Sequence, residues 1–161
     1  MSILYTSIVY KNDKILCCYT DYYGNIQQTT NIFLKTIKKN NYKGTICFNN
    51  KYSFHYLDEN NLTYICLTDK NYYVEVAHYY LTQIKELLFN NFNINQINLC
   101  DDFSMDQLLK SKIRQKVHYY NQSKTEVNNI NNKDLLLYSK NNYFTQNFEI
   151  GKSIINIYIY K

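Results

Sequence analysis

Three histidines, five cysteines and two pairs of adjacent acids are the residues of this chain best suited to chemistry. His55, His78 and His118 fall on one predicted strand and two predicted helices, and none has a cysteine, serine or carboxylate at ligand or triad spacing. Cys17, Cys18, Cys47, Cys66 and Cys100 are odd in number and form no C-x-x-C pair, so neither a zinc cluster nor a disulfide frame is expected. Three of them lie in apolar alternating segments, where a reduced cysteine serves as a small hydrophobe. The acid pairs Asp58-Glu59 and Asp101-Asp102 sit in predicted polar turns, whereas acid–base work would need one of them desolvated in a cleft. Gly24, Gly44 and Gly151 stand alone, so no phosphate loop is present. These residues predict no catalytic group, no metal and no cofactor. The alternative, a small α+β ligand-binding domain or enzyme, would require a deep polar cleft around His55 or the acid pairs.

The densest charge is the run Lys110, Lys112, Arg114 and Lys116. On a helix, 112 and 116 share one face and 110 and 114 another, so the run reads either as the solvated flanks of an amphipathic helix or as a dock for acidic protein or lipid headgroups. The formal charge of +5 is otherwise spread along the chain and nucleic acid is not expected as a partner. No stretch approaches the roughly 20 apolar residues of a bilayer-spanning helix, and the opening SILYTSIVYKNDK lacks the pattern of a leader, so the chain as given reads as soluble and intracellular.

The elements that would position these groups follow from periodicity. Ile3 to Tyr10 and Ile15 to Thr20 are β-branched and aromatic runs separated by KNDK, a hairpin signal. A helix is predicted over about 25–39, with Asn25 and Gln28 at capping-box positions and Ile26, Phe33, Leu34 and Ile37 on one face. TICF, KYSFHYL and LTYICLT follow as a three-strand meander broken by Asn49-Asn50 and by Asp58 to Asn61. Tyr73, Val76, Ala77, Tyr80, Leu81, Ile84, Leu87 and Leu88 recur at three and four, a second helix with Asp69 as its cap. Residues 91–102 read as a polar loop. A third helix starts at the S-x-x-Q box Ser104/Gln107 and carries Met105, Leu108, Leu109, Ile113, Val117 and Tyr120.

The order β-β-α-β-β-β-α-α is that of an α+β fold, a five-stranded antiparallel sheet with one helix on one face and two on the other. Residues 1–121 complete it. In residues 122–161, Val127, Ile130, Leu137 and Phe144 fit heptad core positions, but the slots between fall on Asp134 and Asn141. The closing IINIYIYK favours an extended strand. The Pro-free, Asn-heavy composition, built from residues with A/T-rich codons, reads largely as genomic bias.

The strings SILYTSIVYKNDKILCCY, KYSFHYLDENNLTYICLTD and YYVEVAHYYLTQIKELLF, in this order, resemble the N-terminal longin domain of longin-type vesicle-associated membrane proteins, the R-SNAREs. The resemblance covers residues 1 to about 121. It implies the longin (profilin-like) fold and a SNARE-like regulator of membrane fusion or sorting, on the cytoplasmic face of vesicles or endomembranes, that binds SNARE helices or trafficking adaptors. It places the partner-binding groove along the first helix and third strand, here Phe33, Ile37, Thr45, Ile46, Cys47 and Phe48. The family's SNARE helix carries a central Arg and is followed by a membrane anchor. Here the only Arg is Arg114, and residues 122–161 hold only an incomplete SNARE-like start and an irregular tail. Three readings of that tail follow: a gene model truncated near residue 138, with membrane association through an anchor in the full product; a SNARE-less longin adaptor; or a tethering- or coat-complex small subunit of the same fold. As written, the chain is not expected to complete a SNARE bundle.

Overall fold

The computed structural model describes residues 1–37, 42–48 and 50–122, together with two short strands at 145–146 and 159–160. In chain order the elements are β1 (Ile3–Tyr10), β2 (Lys14–Tyr19), β3 (Tyr23–Gly24), α1 (Ile26–Thr36), β4 (Lys43–Phe48), β5 (Tyr52–Glu59), β6 (Leu62–Asp69), α2 (Val74–Phe89), α3 (Ile94–Asn98), α4 (Asp106–Gln122), β7 (Thr145–Gln146) and β8 (Ile159–Tyr160).

Five long strands form the antiparallel sheet in the order β2-β1-β6-β5-β4. Tight turns set their register. Asn60 and Asn61, with φ of 54° and 65°, form the two-residue link between β5 and β6, and Lys11 and Asn12 (52° and 63°) turn β1 into β2. Left-handed backbone at both central positions matches the twist of paired strands, and asparagine tolerates it better than other non-glycine residues. One β-bulge interrupts the sheet's first pair, where Ile8 faces Cys17 but Val9 faces Ile15. Leu16 is the extra residue, and the step lets Leu16 and Cys17 enter the same core.

Two apolar layers result. Ile26, Phe33 and Leu34 of α1 pack with Val9, Phe54 and Ile65 on one face, while α2, α3 and α4 cover the other over Ile8, Leu16, Leu62 and Tyr64. Burying each such side chain contributes about 1.5–3 kcal/mol. Across the second layer the Tyr80 hydroxyl reaches Thr6 Oγ1 at 2.7 Å, so the phenol is satisfied inside the core.

Several local expectations change. Residues 91–102 are not all loop: Asn93 and Gln96 form a reciprocal capping box (2.9 and 3.0 Å) that starts α3 and buries Ile97. Helix α2 starts after Tyr73, not from a cap at Asp69, whose carbonyl accepts the Tyr72 N–H instead. Tyr73 and Leu108 project to solvent (58% and 59% exposed), off the stripes their spacing suggested. Asn25 holds the N-cap position of α1 without a side-chain cap bond, and α4 begins at Asp106, two residues beyond Ser104. The heptad positions Val127, Ile130, Asp134, Leu137, Asn141 and Phe144 lie outside the described residues, and of IINIYIYK the described part is β8, which pairs with β3.

The domain closes on itself at Asn121. Its side chain accepts the Ile3 N–H at 2.7 Å and donates to the Ile3 carbonyl at 3.0 Å, tying the end of α4 to the start of β1. Asn121→Ala should lower unfolding stability by about 1–3 kcal/mol, because two partly buried main-chain groups lose their partners. Urea denaturation checks this; an unchanged midpoint would mean that solvent replaces both bonds without cost.

Candidate partner-binding site

A sheet has two edges whose backbone groups need partners, and here the edges differ. The β2 edge is occupied. Asp102 Oδ1 accepts the Ile15 N–H at 2.9 Å, Asp106 Oδ1 accepts the Cys18 N–H at 3.2 Å, and the N–H groups of Phe103 and Met105 donate to the carbonyls of Ile15 and Leu16 at 2.7 and 3.2 Å. Phe103 adopts a left-handed φ of 57° to make that approach, a conformation costing a bulky residue about 1–2 kcal/mol that these four bonds offset.

The β4 edge is built differently. Antiparallel pairing of Thr45 with His55 and Ile46 with Phe54 fixes which side chains face which layer. Ile46 and Phe48 turn under α1, where Phe33 stacks on Phe54 at 4.4 Å between ring centroids and Phe48 meets Phe54 edge-on at 6.3 Å. Gly44 shares that face because the Tyr56 ring lies across it; an added Cβ would stand 2.7 Å from the ring. Thr45 turns to the opposite layer, and Cys47 is half-buried. The structure therefore brings Phe33, Ile46 and Phe48 together as interior groups, leaving Ile37 at the end of α1 half-buried on the rim. Tyr22, Tyr52 and Cys18 are further half-buried groups against the same core that their polar or turn-like surroundings in sequence concealed. Outside β4 the chain's own β7 pairs in parallel, Thr145 against Thr45 and Gln146 against Ile46.

Behind this edge lies a polar cluster that spacing along the chain could not reveal. Thr45 Oγ1 contacts His55 Nδ1 at 2.9 Å and His78 Nε2 at 3.1 Å, and His55 Nε2 reaches Thr68 Oγ1 at 2.9 Å. The two imidazoles meet edge to face at 5.7 Å. Burial disfavours their charged forms and holds His55 down to about 3 and His78 to about 4; the neighbouring His78 adds to the first and the Lys43 charge to the second. The cluster has no opening to solvent, so it joins β4, β5, β6 and α2 and offers no cleft for acid–base chemistry.

The acid pairs also take structural work. Asp58 accepts from Thr63 Oγ1 at 2.9 Å, Glu59 pairs with Lys85, and Asp102 holds the β2 edge. The basic run divides: Lys110 reaches Asp106 at 3.6 Å, while Arg114 lies toward Asp21. Burial would raise the Asp21 carboxyl, but hydrogen bonds from Tyr19 and His118 and the charges of His118 and Arg114 hold it below its usual value. Among the described residues no cluster of histidine, cysteine and acids has metal-binding geometry, and no helix is long and apolar enough to cross a membrane.

Residues 16–113 match the Longin family model, described as a regulated-SNARE-like domain. The chain belongs to the longin family. Among similar proteins is vesicle-associated membrane protein 7B of Dictyostelium discoideum, 32% identical over 85 residues that cover 53% of this chain and 32% of that protein. The chain thus spans about a third of the length of that relative. The α+β sandwich of the described residues is the longin architecture.

Neutral burial of His55 and His78 predicts that this chain loses stability in acid. In the unfolded chain both histidines titrate near about 6.5, so below that pH the unfolded state binds more protons than the folded one. Stability from this source is complete above about pH 6.5 and falls as the pH drops toward about 4, by about 2 kcal/mol per histidine at about pH 5. Urea titrations at the two pH values should show that loss, and His78→Gln should remove about half of it. An identical loss in the variant would mean that other groups carry the acid response.

Proposed function

We propose that this longin-family chain is a SNARE-like regulator of membrane fusion or sorting that acts by binding proteins, with residues 1–121 as the binding unit. Its contact zone is the β4 edge together with the rim of α1 at Ile37, and its partners are SNARE helices or trafficking adaptors. The observation that carries this is the asymmetry of the sheet: the β2 edge has four backbone groups held by residues 102–106, whereas the β4 edge takes up an extended segment, β7, at Thr45 and Ile46. An edge that accepts one short strand offers main-chain hydrogen bonds to any extended segment, and the adjoining apolar rim adds side-chain discrimination. Longin membership and the likeness to a vesicle-associated membrane protein support the trafficking context. Work by binding is consistent with the bonding of His55, His78 and Asp102, which hold strands and helices together.

Ile37→Asp places a charge on the rim, at a half-buried position that a folded domain tolerates. It should weaken binding of SNARE helices and adaptor segments at least tenfold, about 1.4 kcal/mol. Asp102→Ala, on the covered edge, should leave affinity unchanged. Calorimetry of the full chain and both variants against the same partners checks this; equal loss in the two variants, or none in either, overturns the assignment of the β4 edge.

A further inference from the structure

The face opposite α1 carries a second surface. Helices α2 and α4 run antiparallel over the sheet, with Lys112 Nζ on Asn91 Oδ1 at 2.6 Å near one end and Lys116 Nζ on Gln83 Oε1 at 3.3 Å further along. Between them lies a cleft of about 490 Å³ lined by Gln83 and Leu87 of α2 and by Lys112, Lys116, Tyr119 and Tyr120 of α4. Its aromatic end is a rigid platform. The Tyr119 ring, more than half exposed, stands edge-on to Tyr120 at 5.5 Å, and Tyr120 in turn meets the fully buried Tyr80 at 5.2 Å.

The charge in this cleft is unbalanced. Lys110 and Arg114, on the flank toward β2, lie beside Asp106 and Asp21. Lys112 and Lys116 meet only neutral amide oxygens, and among the described residues no carboxylate lies within ion-pair distance of either. Glu86 of α2, which is not part of the cleft lining, accepts from Gln83 Nε2 at 2.9 Å. Two lysines one helical turn apart on α4, about 6 Å along its axis, therefore border an apolar floor of Leu87 and two tyrosines.

We propose that the α2/α4 cleft docks a short amphipathic helix of a protein partner, apolar on the side that enters the cleft and acidic along its rims. A groove between two helices accepts the side-chain ridge of a third. Carboxylates at i and i+4 of that helix would match the spacing of Lys112 and Lys116. An anionic membrane fits less well, because surface adsorption draws on clusters of about 4–8 basic residues, and only two of the four here lack an acidic neighbour. The cleft lies on the face covered by α2 and α4, whereas the β4 contact zone is a sheet edge with its apolar rim under α1, so the two surfaces are distinct.

A display library of random peptides about 16 residues long, enough for some four helical turns, panned on the full chain and counter-panned on the double variant Lys112→Glu/Lys116→Glu, tests this. The expected result is a set of peptides bound at least tenfold more weakly by the double variant, net acidic, with apolar residues at i and i+4. Amide shifts on binding should fall on Leu87, Gln83 and Tyr119. A matching melting temperature for the double variant establishes that it folds. Peptides that bind both forms equally, or that shift the β4 edge instead, overturn the proposal. Charge-dependent sedimentation with phosphatidylserine vesicles without any such peptide also overturns it and assigns the surface to lipid.

Discussion

The unmet hydrogen-bonding capacity of a sheet edge is the constraint around which this molecule is organised. Five antiparallel strands satisfy one another internally, but β2 and β4 each present an outer row of N–H and C=O groups. At β2 the chain supplies a local cover from residues 102–106, accepting a left-handed phenylalanine to do so. That cover stands immediately before α4, so closing the edge also aims the helix whose buried face completes the second core layer. At β4 the cover is a two-residue parallel strand contributed from about a hundred residues away. Few hydrogen bonds and a long connection make such a pairing easier to exchange than the compact one at β2. The proposal that β4 is the binding edge rests on this difference.

Thr45 shows how the edge is tied to the rest. Its backbone pairs inward with β5 and outward with β7, while its hydroxyl joins two buried histidines. A hydroxyl alone, without the imidazoles, would have no partner in that interior and would cost about 1–3 kcal/mol. The imidazoles in turn are held neutral by their burial, which disfavours the charged forms. Polar groups at this place therefore fix the position of an edge strand against α2, a role that apolar packing under α1 does for the other side of the same strand.

Much of this was legible in the sequence because it is periodic. The strand and helix order, the single helix on one face and the identity of Val76, Tyr80, Leu81 and Ile84 as core all follow from spacings of two and of three to four. Whether Ile46 or Thr45 faces α1 was not legible, since a shift of one residue exchanges the faces and only pairing with β5 decides it. Nor were the His55–His78 contact and the Asp102 cover, which join residues distant along the chain. The asparagines have a structural role that composition alone conceals. Composition explains their number, but Asn12, Asn50, Asn60 and Asn61 hold left-handed turns, Asn93 caps α3 and Asn121 pins β1 to α4. In a chain with 3 glycines and no proline, asparagine takes over the turn chemistry that those residues supply elsewhere.

The same sheet then separates two kinds of recognition. At the proposed β4 contact zone a partner would meet backbone groups, which any extended segment satisfies, so selectivity would come from the rim around Ile37 and Tyr52. On the α2/α4 side the backbone is consumed within helices, and a partner meets only side chains: two amines, a leucine and a tyrosine platform. Strand addition tolerates many sequences, while a charged helical cleft discriminates by charge and spacing and speeds encounter with acidic partners. Because a close-packed two-layer core lies between them, occupancy of one surface need not deform the other. Thr45 of β4 touches α2 through His78, near that helix's N-terminal end and away from Leu87 and the lysines.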